Sequence, residues 1–472
     1  MSGGGGRFKE ILIQTAFLLH SHRQFPHSVS YMKTFYTFSL LVGSLLALHS
    51  GVGYAAGFEK SILWSGKYAG LAGTASGIVR GAESLYFNPA GLSHSPGKWL
   101  DVSTNFSPIV TMVNAPLRIN DSTGIDSERG FSPVPSVTVS FHPLKHLGFG
   151  AGFYASGGAG IKYNAATNFA TSATSPLNTM TELEPIFETK LQLLEFSLGV
   201  GYELFERIRL GVSWRTTLVS GSLSSVQAPA VLTNFRIKDL SDTDYASVRA
   251  GLQYSPPSDV WGIGLAYRSK VKFSAEGNHT GTADGPGASN LVEYDGGKAT
   301  VGGVFPHQVD VSVYARLLDK RLLVALGYNW TQYSKNKALE ITGAVPSSPV
   351  PGYAGNLSDI TFNWNDQHTL KVGLEYAITD TVPVRLGYLV ASDVTPKDQI
   401  LPTLAPPSFA HSITAGSGYT LALSSGHTLE FNGALDITTT SGEGSRALGA
   451  DKISGKVKAT IVATHLGVRY SF

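Results

Sequence analysis

The sequence predicts an all-β fold, a transmembrane antiparallel β-barrel of about fourteen strands with an N-terminal plug in its lumen. Three observations carry that reading. Strict apolar/polar alternation recurs from Trp99 to the C-terminus, the pattern of strands with one greasy and one polar face. Aromatic residues fall at strand ends, at Tyr202, Trp214, Tyr254, Trp261, Tyr267, Trp330, Tyr470 and Phe472, where interfacial girdles sit. Connections alternate between short turns and long polar stretches, as in barrels with short periplasmic turns and long extracellular loops. A soluble β-sandwich shares the first property but has no reason to sort its connections this way.

Composition narrows the class. Of 472 residues only 15% are charged and the formal net charge is +2, whereas soluble domains carry about 25% charged residues. The balance offers no basic surplus for phosphates, so no nucleic-acid partner is expected. The chain has no cysteine, which excludes thiolate metal sites, disulfides and thiol nucleophiles. No apolar run reaches the roughly twenty residues of a spanning helix. The longest, Phe35 to Leu48, follows Lys33 and precedes the small-residue stretch Gly51–Gly57, which is the layout of a secretory leader cut after Ala55. Met32-Lys33 then reads as the natural start, residues 1–31 as an upstream extension, 32–55 as the leader, 56–98 as the plug and 99–472 as the barrel.

The strands follow in order. Leu194, Phe196, Leu198, Val200 and Tyr202 alternate with Glu195, Ser197, Gly199, Gly201 and Glu203. Ile208 to Arg215, Val248 to Tyr254, Trp261 to Arg268, Val309 to Tyr314, Leu322 to Trp330, Leu370 to Ile378, Val384 to Tyr388 and Leu429 to Leu435 repeat the pattern. Less regular strands fit near Leu100–Val113, Ser136–Phe141, His146–Tyr163 and Phe409–Leu421. In the last strand Val462, Leu466, Val468, Tyr470 and Phe472 face one way and His465, Gly467 and Arg469 the other. A terminal aromatic in that position is the expected handle for the barrel-assembly machinery, through Phe472. Long polar loops are expected near 114–133, 164–189, 220–243, 277–305, 336–365, 392–407 and 439–455. The opposite face is glycine-rich and carries Glu195, Glu203, Arg209, Arg215, Arg249, Arg268, Asp310, Lys371, Glu375, Arg385, Glu430 and Arg469. Charges on that face solvate a polar lumen and pair with one another.

Residues 59–98 break the alternation. They are rich in Gly, Ala and Ser, with short helical fragments expected around Ala69–Val79. A segment too weakly amphipathic for a membrane strand, preceding so wide a barrel, belongs inside the bore.

Here the chain resembles the FadL family of outer-membrane long-chain fatty acid and hydrocarbon transporters (OMPP1/FadL/TodX-like). The residues that carry the resemblance are Ala56-Gly57-Phe58, the run Leu85-Tyr86-Phe87-Asn88-Pro89-Ala90-Gly91-Leu92, Tyr267 to Phe273, Phe305-Pro306, Trp330-Thr331-Gln332-Tyr333, and Asp393 with Pro396 and Pro402. The resemblance implies a hatch with Phe58, Asn88, Pro89 and Ala90 at the plug or gate, and passive uptake of a hydrophobic small molecule. It also implies lateral release into the bilayer at a kinked third strand. That strand is Leu147–Tyr163, with Gly157 and Gly158 at the kink; small residues there favour a bulge. Basic residues that neutralise a carboxylate in fatty-acid members find only Arg215, Lys335 and Lys337 as neighbours, so both a fatty acid and an aromatic hydrocarbon stay open as cargo. Outer-membrane lipid and lipopolysaccharide are the expected surroundings.

No cofactor or metal is expected, and the chain is not expected to be an enzyme. His307, His368, His411, His427 and His465 are scattered, with no G-x-S-x-G, H-E-x-x-H or Walker motif, the spacings that nucleophilic, zinc or nucleotide chemistry requires. A general porin and a surface barrel serving as adhesin or phage receptor are the competing readings.

Overall fold

The computed structural model describes residues 65–94, 99–114, 118–119, 127–163, 187–227, 233–284, 291–346, 355–401, 403, 405–423, 426–448 and 451–472. The expected extension, the leader and Phe58 lie outside the described residues, as do 95–98 and most of the 164–189 loop.

Fourteen antiparallel strands close into a barrel. They are β1 Leu100–Asn114, β2 Gly130–Leu144, β3 Leu147–Tyr163, β4 Phe187–Leu204, β5 Ile208–Gln227 and β6 Thr233–Tyr254. Three strands run in two pieces: β7 as Trp261–Arg268 and Val271–Asp284, β8 as Leu291–Phe305 and Gln308–Leu317, and β9 as Leu322–Thr331 and Ala338–Thr342. The set ends with β10 Gln367–Ala377, β11 Pro383–Ala391, β12 Ala410–Ala422, β13 Thr428–Leu448 and β14 Asp451–Ser471. Each strand pairs with the next, and β14 returns to β1 from Asp101↔Ser471 to Asn114↔Lys458. Closure removes the open edge that a membrane does not tolerate. Among the described residues no helix is long and apolar enough to cross a membrane; the strands do the crossing.

The tight turns follow from backbone geometry. Phe205 and Glu206 take φ of 56° and 55° in the three-residue turn between Leu204 and Ile208, the left-handed conformation that tight hairpin turns demand. Above the turns the outer wall is apolar: Phe196, Leu198, Trp214, Leu265, Leu326, Leu386 and Leu466 are all exposed. The inner wall carries the charges, which do pair. Glu203 meets Arg209 at 3.1 Å, Glu375 meets Arg385 at 2.6 Å, and Asp310 meets Lys371.

The upper half departs from the expected long polar loops. Strands continue through most of 220–243, 277–305 and 439–455. β7 shows why alternation hid them. Below, Trp261, Ile263, Leu265 and Tyr267 face out and Gly262, Gly264, Ala266 and Arg268 face in. After Ser269-Lys270 the phase reverses: Lys272, Ser274, Glu276 and Asn278 are exposed, and Val271, Phe273 and Ala275 are buried. The strand has left the bilayer, so its outer face meets water while its inner face lines an apolar interior. Ile109, Ile161, Phe187, Leu193, Val219, Phe235, Phe273, Phe305, Phe362, Trp364 and Ile400 belong to that interior cluster.

The closing seam has its own latch. Arg469 donates from Nε to Asp101 Oδ1 at 2.8 Å and from Nη2 to Oδ2 at 2.7 Å, and Ser471 Oγ donates to Oδ1 at 2.7 Å. Removing one member of a buried pair strands the other, at about 3–5 kcal/mol. Arg469→Met should therefore lower the temperature at which the compact band converts to the unfolded band in SDS gels. Lys145→Ala should leave it unchanged, because its Glu206 partner is exposed at a turn and such pairs contribute little.

Candidate functional site

Residues 65–94 lie against the inner wall. Ser65 Oγ accepts from Lys67 N and Tyr68 N at 3.2 and 3.4 Å and caps the helix α1, Gly66–Ala69. A second turn of helix, α2, spans Ser84–Phe87, and a 3-10 turn spans Pro89–Ser93. The helical fragments thus flank the expected 69–79 stretch, which turns irregularly at Gly70, Gly73 and Gly77. Glycine gives up the most backbone freedom in a helix, so a run punctuated by it breaks.

The Asn88-Pro89-Ala90 motif has a plain physical account. Asn88 Oδ1 accepts from Ala90 N at 3.1 Å, and Pro89 occupies the first position of the 3-10 turn, where its missing N–H costs nothing. The Asn88 amide donates to Ser76 O at 2.8 Å and to the carbonyls of Leu252 and Leu265 at 3.1 and 3.3 Å. One carboxamide therefore caps a turn, braces the segment and bonds β6 and β7. It reaches those strands because Gly251 has no side chain; a Cβ there would overlap the Asn88 oxygen. Gly148 and Gly264 likewise leave room for the carbonyls of Leu92 and Ser76. The glycine-rich lumen is a docking surface for the segment's backbone.

Polar contacts complete the seat. Lys67 pairs with Glu430 at 3.0 Å, Gly77 N donates to Ser312 Oγ at 2.6 Å, and Ala82 N donates to Asp101 Oδ2 at 2.7 Å. Arg249 Nη1 donates to Leu85 O at 2.8 Å, with its guanidinium 5.0 Å from the centre of the Tyr86 ring, a cation–π distance.

A cavity of about 60 Å³ opens where the segment meets the apolar interior; its wall includes Tyr86, Phe87, Arg249, Arg268, Gln308, Asp310, Asn329 and Lys371. Tyr86 and Phe87 also pack on the apolar cluster, so a polar floor adjoins an apolar interior. Beside it Glu195 receives three guanidiniums, from Arg215 at 3.1 Å, Arg249 at 3.5 Å and Arg268 at 3.8 Å. Tyr154 of β3 joins this cluster, donating to Glu195 at 2.6 Å.

The structure does not bring the sequence-selected cations together. Arg215 is fully buried against Glu195. Lys335 and Lys337 are exposed and do not line the cavity. Arg249, Arg268 and Lys371 do, and their inward placement was readable from alternation although their convergence was not. His465 is not solitary: Ser107 Oγ lies 2.8 Å from its Nδ1, with Asp436 Oδ2 4.0 Å from Nε2. That second distance is too long for the orienting hydrogen bond of a triad.

The third strand is irregular where glycines were expected to bend it. Its register against β4 slips between Ala155↔Leu194 and Gly157↔Leu193, leaving Ser156 as the extra residue of a bulge. Against β2 the ladder runs from Leu144↔Leu147 to Ser136↔Tyr154 and lapses. The strands next meet where Glu128 N donates to Lys162 O at 2.9 Å, with an ion pair of 3.2 Å between the same side chains.

Substituting Gly251→Val should dislodge the Asn88 anchor. Residues 65–94 should then become sensitive to added protease while the barrel keeps its heat-modifiable mobility.

No curated protein sequence matches this chain. Among solved structures it is similar to a FadL homologue of Pseudomonas aeruginosa, at 14% identity over 90% of this chain and 100% of that one, with a TM-score of 0.66. It is also similar to the toluene transporters TodX of P. putida (16%, 89% and 99%, 0.67) and TbuX of Ralstonia pickettii (18%, 88% and 99%, 0.60). At these identities the likeness establishes the fold. The family model described as outer membrane protein transport protein (OMPP1/FadL/TodX) matches residues 46–472, and with the closed barrel this establishes that the chain belongs to that family of outer-membrane transport proteins.

Proposed function

We propose that this barrel is a passive uptake channel for hydrophobic compounds, with residues 56–98 as the hatch and 32–55 as the secretory leader. Cargo enters the upper apolar chamber from outside, rests above the hatch, and leaves sideways into the bilayer through the unbonded β2–β3 seam. The observation that carries this reading is the reversal of alternation, which surrounds an apolar interior with strands whose outer faces are exposed. Burying a methylene is worth about 0.8 kcal/mol, so a lipid-like solute partitions into such a chamber and would gain nothing from a watery pore. An exit through the polar floor would cost that gain again; an exit into lipid keeps it.

The cargo we favour is a long-chain carboxylate. Arg249, Arg268 and Lys371 line the floor cavity with Asp310, and Glu195 beside it pairs with both arginines and with Arg215; four cations against two acids leave a positive surplus that suits one anionic head group with its tail in the apolar interior. The second reading is an uncharged aromatic hydrocarbon, since the solved relatives TodX and TbuX are toluene transporters and the chamber asks only for apolar contact.

Uptake by a deletion strain complemented with this gene separates the two. Wild type should restore oleate uptake, and Lys371→Met should raise the half-saturating oleate concentration about ten- to hundredfold, as loss of a charged hydrogen bond of 1.5–3 kcal/mol implies. Toluene uptake that is rescued while oleate uptake is not would favour the hydrocarbon reading; rescue of neither would end the transport proposal.

A further inference from the structure

We infer that Pro133 and Pro135 are positioning residues that keep the β2–β3 seam unbonded, an inference that rests on the lateral exit proposed above. Register fixes where each backbone group points. His142 N donates to Trp99 O at 2.8 Å, and the β1–β2 ladder keeps that register as far as Thr111↔Gly130. Antiparallel alternation then aims even-numbered residues of β2 at β1 and odd-numbered ones at β3. Both prolines are odd, so each lacks its N–H on the edge that faces β3.

The lower odd residues keep their donors. Val137, Val139 and Phe141 stand opposite Phe153, Ala151 and Phe149. The last pair is Ser136↔Tyr154, and the next residue outward is Pro135. On the facing rim the bulge at Ser156 shifts β3 by one residue against β4, which takes its outer backbone groups out of step with β2. Each rim has thus lost what it needs to zip.

A third proline serves as an internal comparison. Pro108 stands opposite Pro133, but even residues of β1 aim at β14, as the exchange between Leu100 and Phe472 at 2.8 and 3.3 Å requires. The β1–β14 ladder skips there and resumes at Ile109↔Ala463. One missing donor is bridged; two in alternate positions facing a bulge are not.

The test uses the full chain with Pro133→Val and Pro135→Val combined. Hydrogen exchange should show new protection of amides along 131–135 and 155–161, and oleate uptake should fall at least tenfold, with heat-modifiable mobility retained. Pro108→Val should leave uptake unchanged, and the two single variants should fall between if the double variant does not fold. Unaltered exchange along the rims in the folded variants overturns the inference. A separate arm exploits the lack of cysteine: Gly130→Cys with Gly160→Cys, positions that approach each other across the seam, cross-linked and then reduced. Uptake blocked by the cross-link, with the valine variants exchanging and transporting like wild type, removes the prolines' role and leaves the lateral exit standing. Uptake that survives the cross-link, or survives a seam newly protected by valine, removes the lateral exit itself.

Discussion

A backbone N–H or C=O in hydrocarbon has no water to bond, and the rest of this structure depends on that constraint. It forces the strands into a closed cylinder, with β14 paired back to β1 along their length. It also gives meaning to the lapse of the β2–β3 ladder beyond Ser136↔Tyr154. Between Ser136↔Tyr154 and the Glu128–Lys162 contact the two rims are not joined by ladder pairs. The Pro133 and Pro135 rim has fewer groups left to satisfy, since two of its donors are absent from the covalent structure.

The interior answers a different demand. Segment 65–94 brings backbone carbonyls close to the wall, which accepts them by omitting side chains at Gly148 and Gly264, while Gly251 leaves room for the Asn88 side chain. Seating a segment this way leaves its polar groups to be met one by one. Asn105, Asp101, Ser312 and Thr414 each accept from one of its backbone amides. Above this floor the lining turns apolar, and the Tyr154–Glu195–Arg249 hydrogen-bonded and ion-paired cluster stands at the boundary, one residue below the point where the seam begins. The same tyrosine thus ends the β2–β3 ladder and borders the polar floor. Arg249 also holds Leu85 O, so the end of the ladder and segment 65–94 share one guanidinium.

Much of the lower barrel was legible in the sequence because lipid outside and small or charged residues inside produce clean period-two alternation, as in Trp261–Arg268 and Leu466–Phe472. The third strand was legible to its ends, Leu147 and Tyr163. The upper hairpins were read as loops because the solvent outside inverts the code: Lys272, Ser274 and Glu276 look like loop residues until Val271, Phe273 and Ala275 are seen as their inward complement. The cations at the floor were assigned to the right face, but alternation says nothing about which strands converge, so Arg249, Arg268 and Lys371 could not be grouped. Lys335 and Lys337, neighbours of a basic position in the fatty-acid members, stand on the exposed side. Pro133 and Pro135 fell outside the strand expected near Ser136–Phe141, and only the register of the longer strand shows which neighbour they deprive.

The most direct measurement of the central claim is photolabelling with a diazirine-bearing long-chain fatty acid, followed by peptide mapping of the full-length protein in outer membranes. The account predicts adducts in the chamber and along both rims of the seam, at 131–135 and 155–161, and none around His94 and Arg209 at the lower mouth. Adducts at that lower mouth with clean rims would contradict it, because the cargo would then be travelling past the hatch into the periplasm.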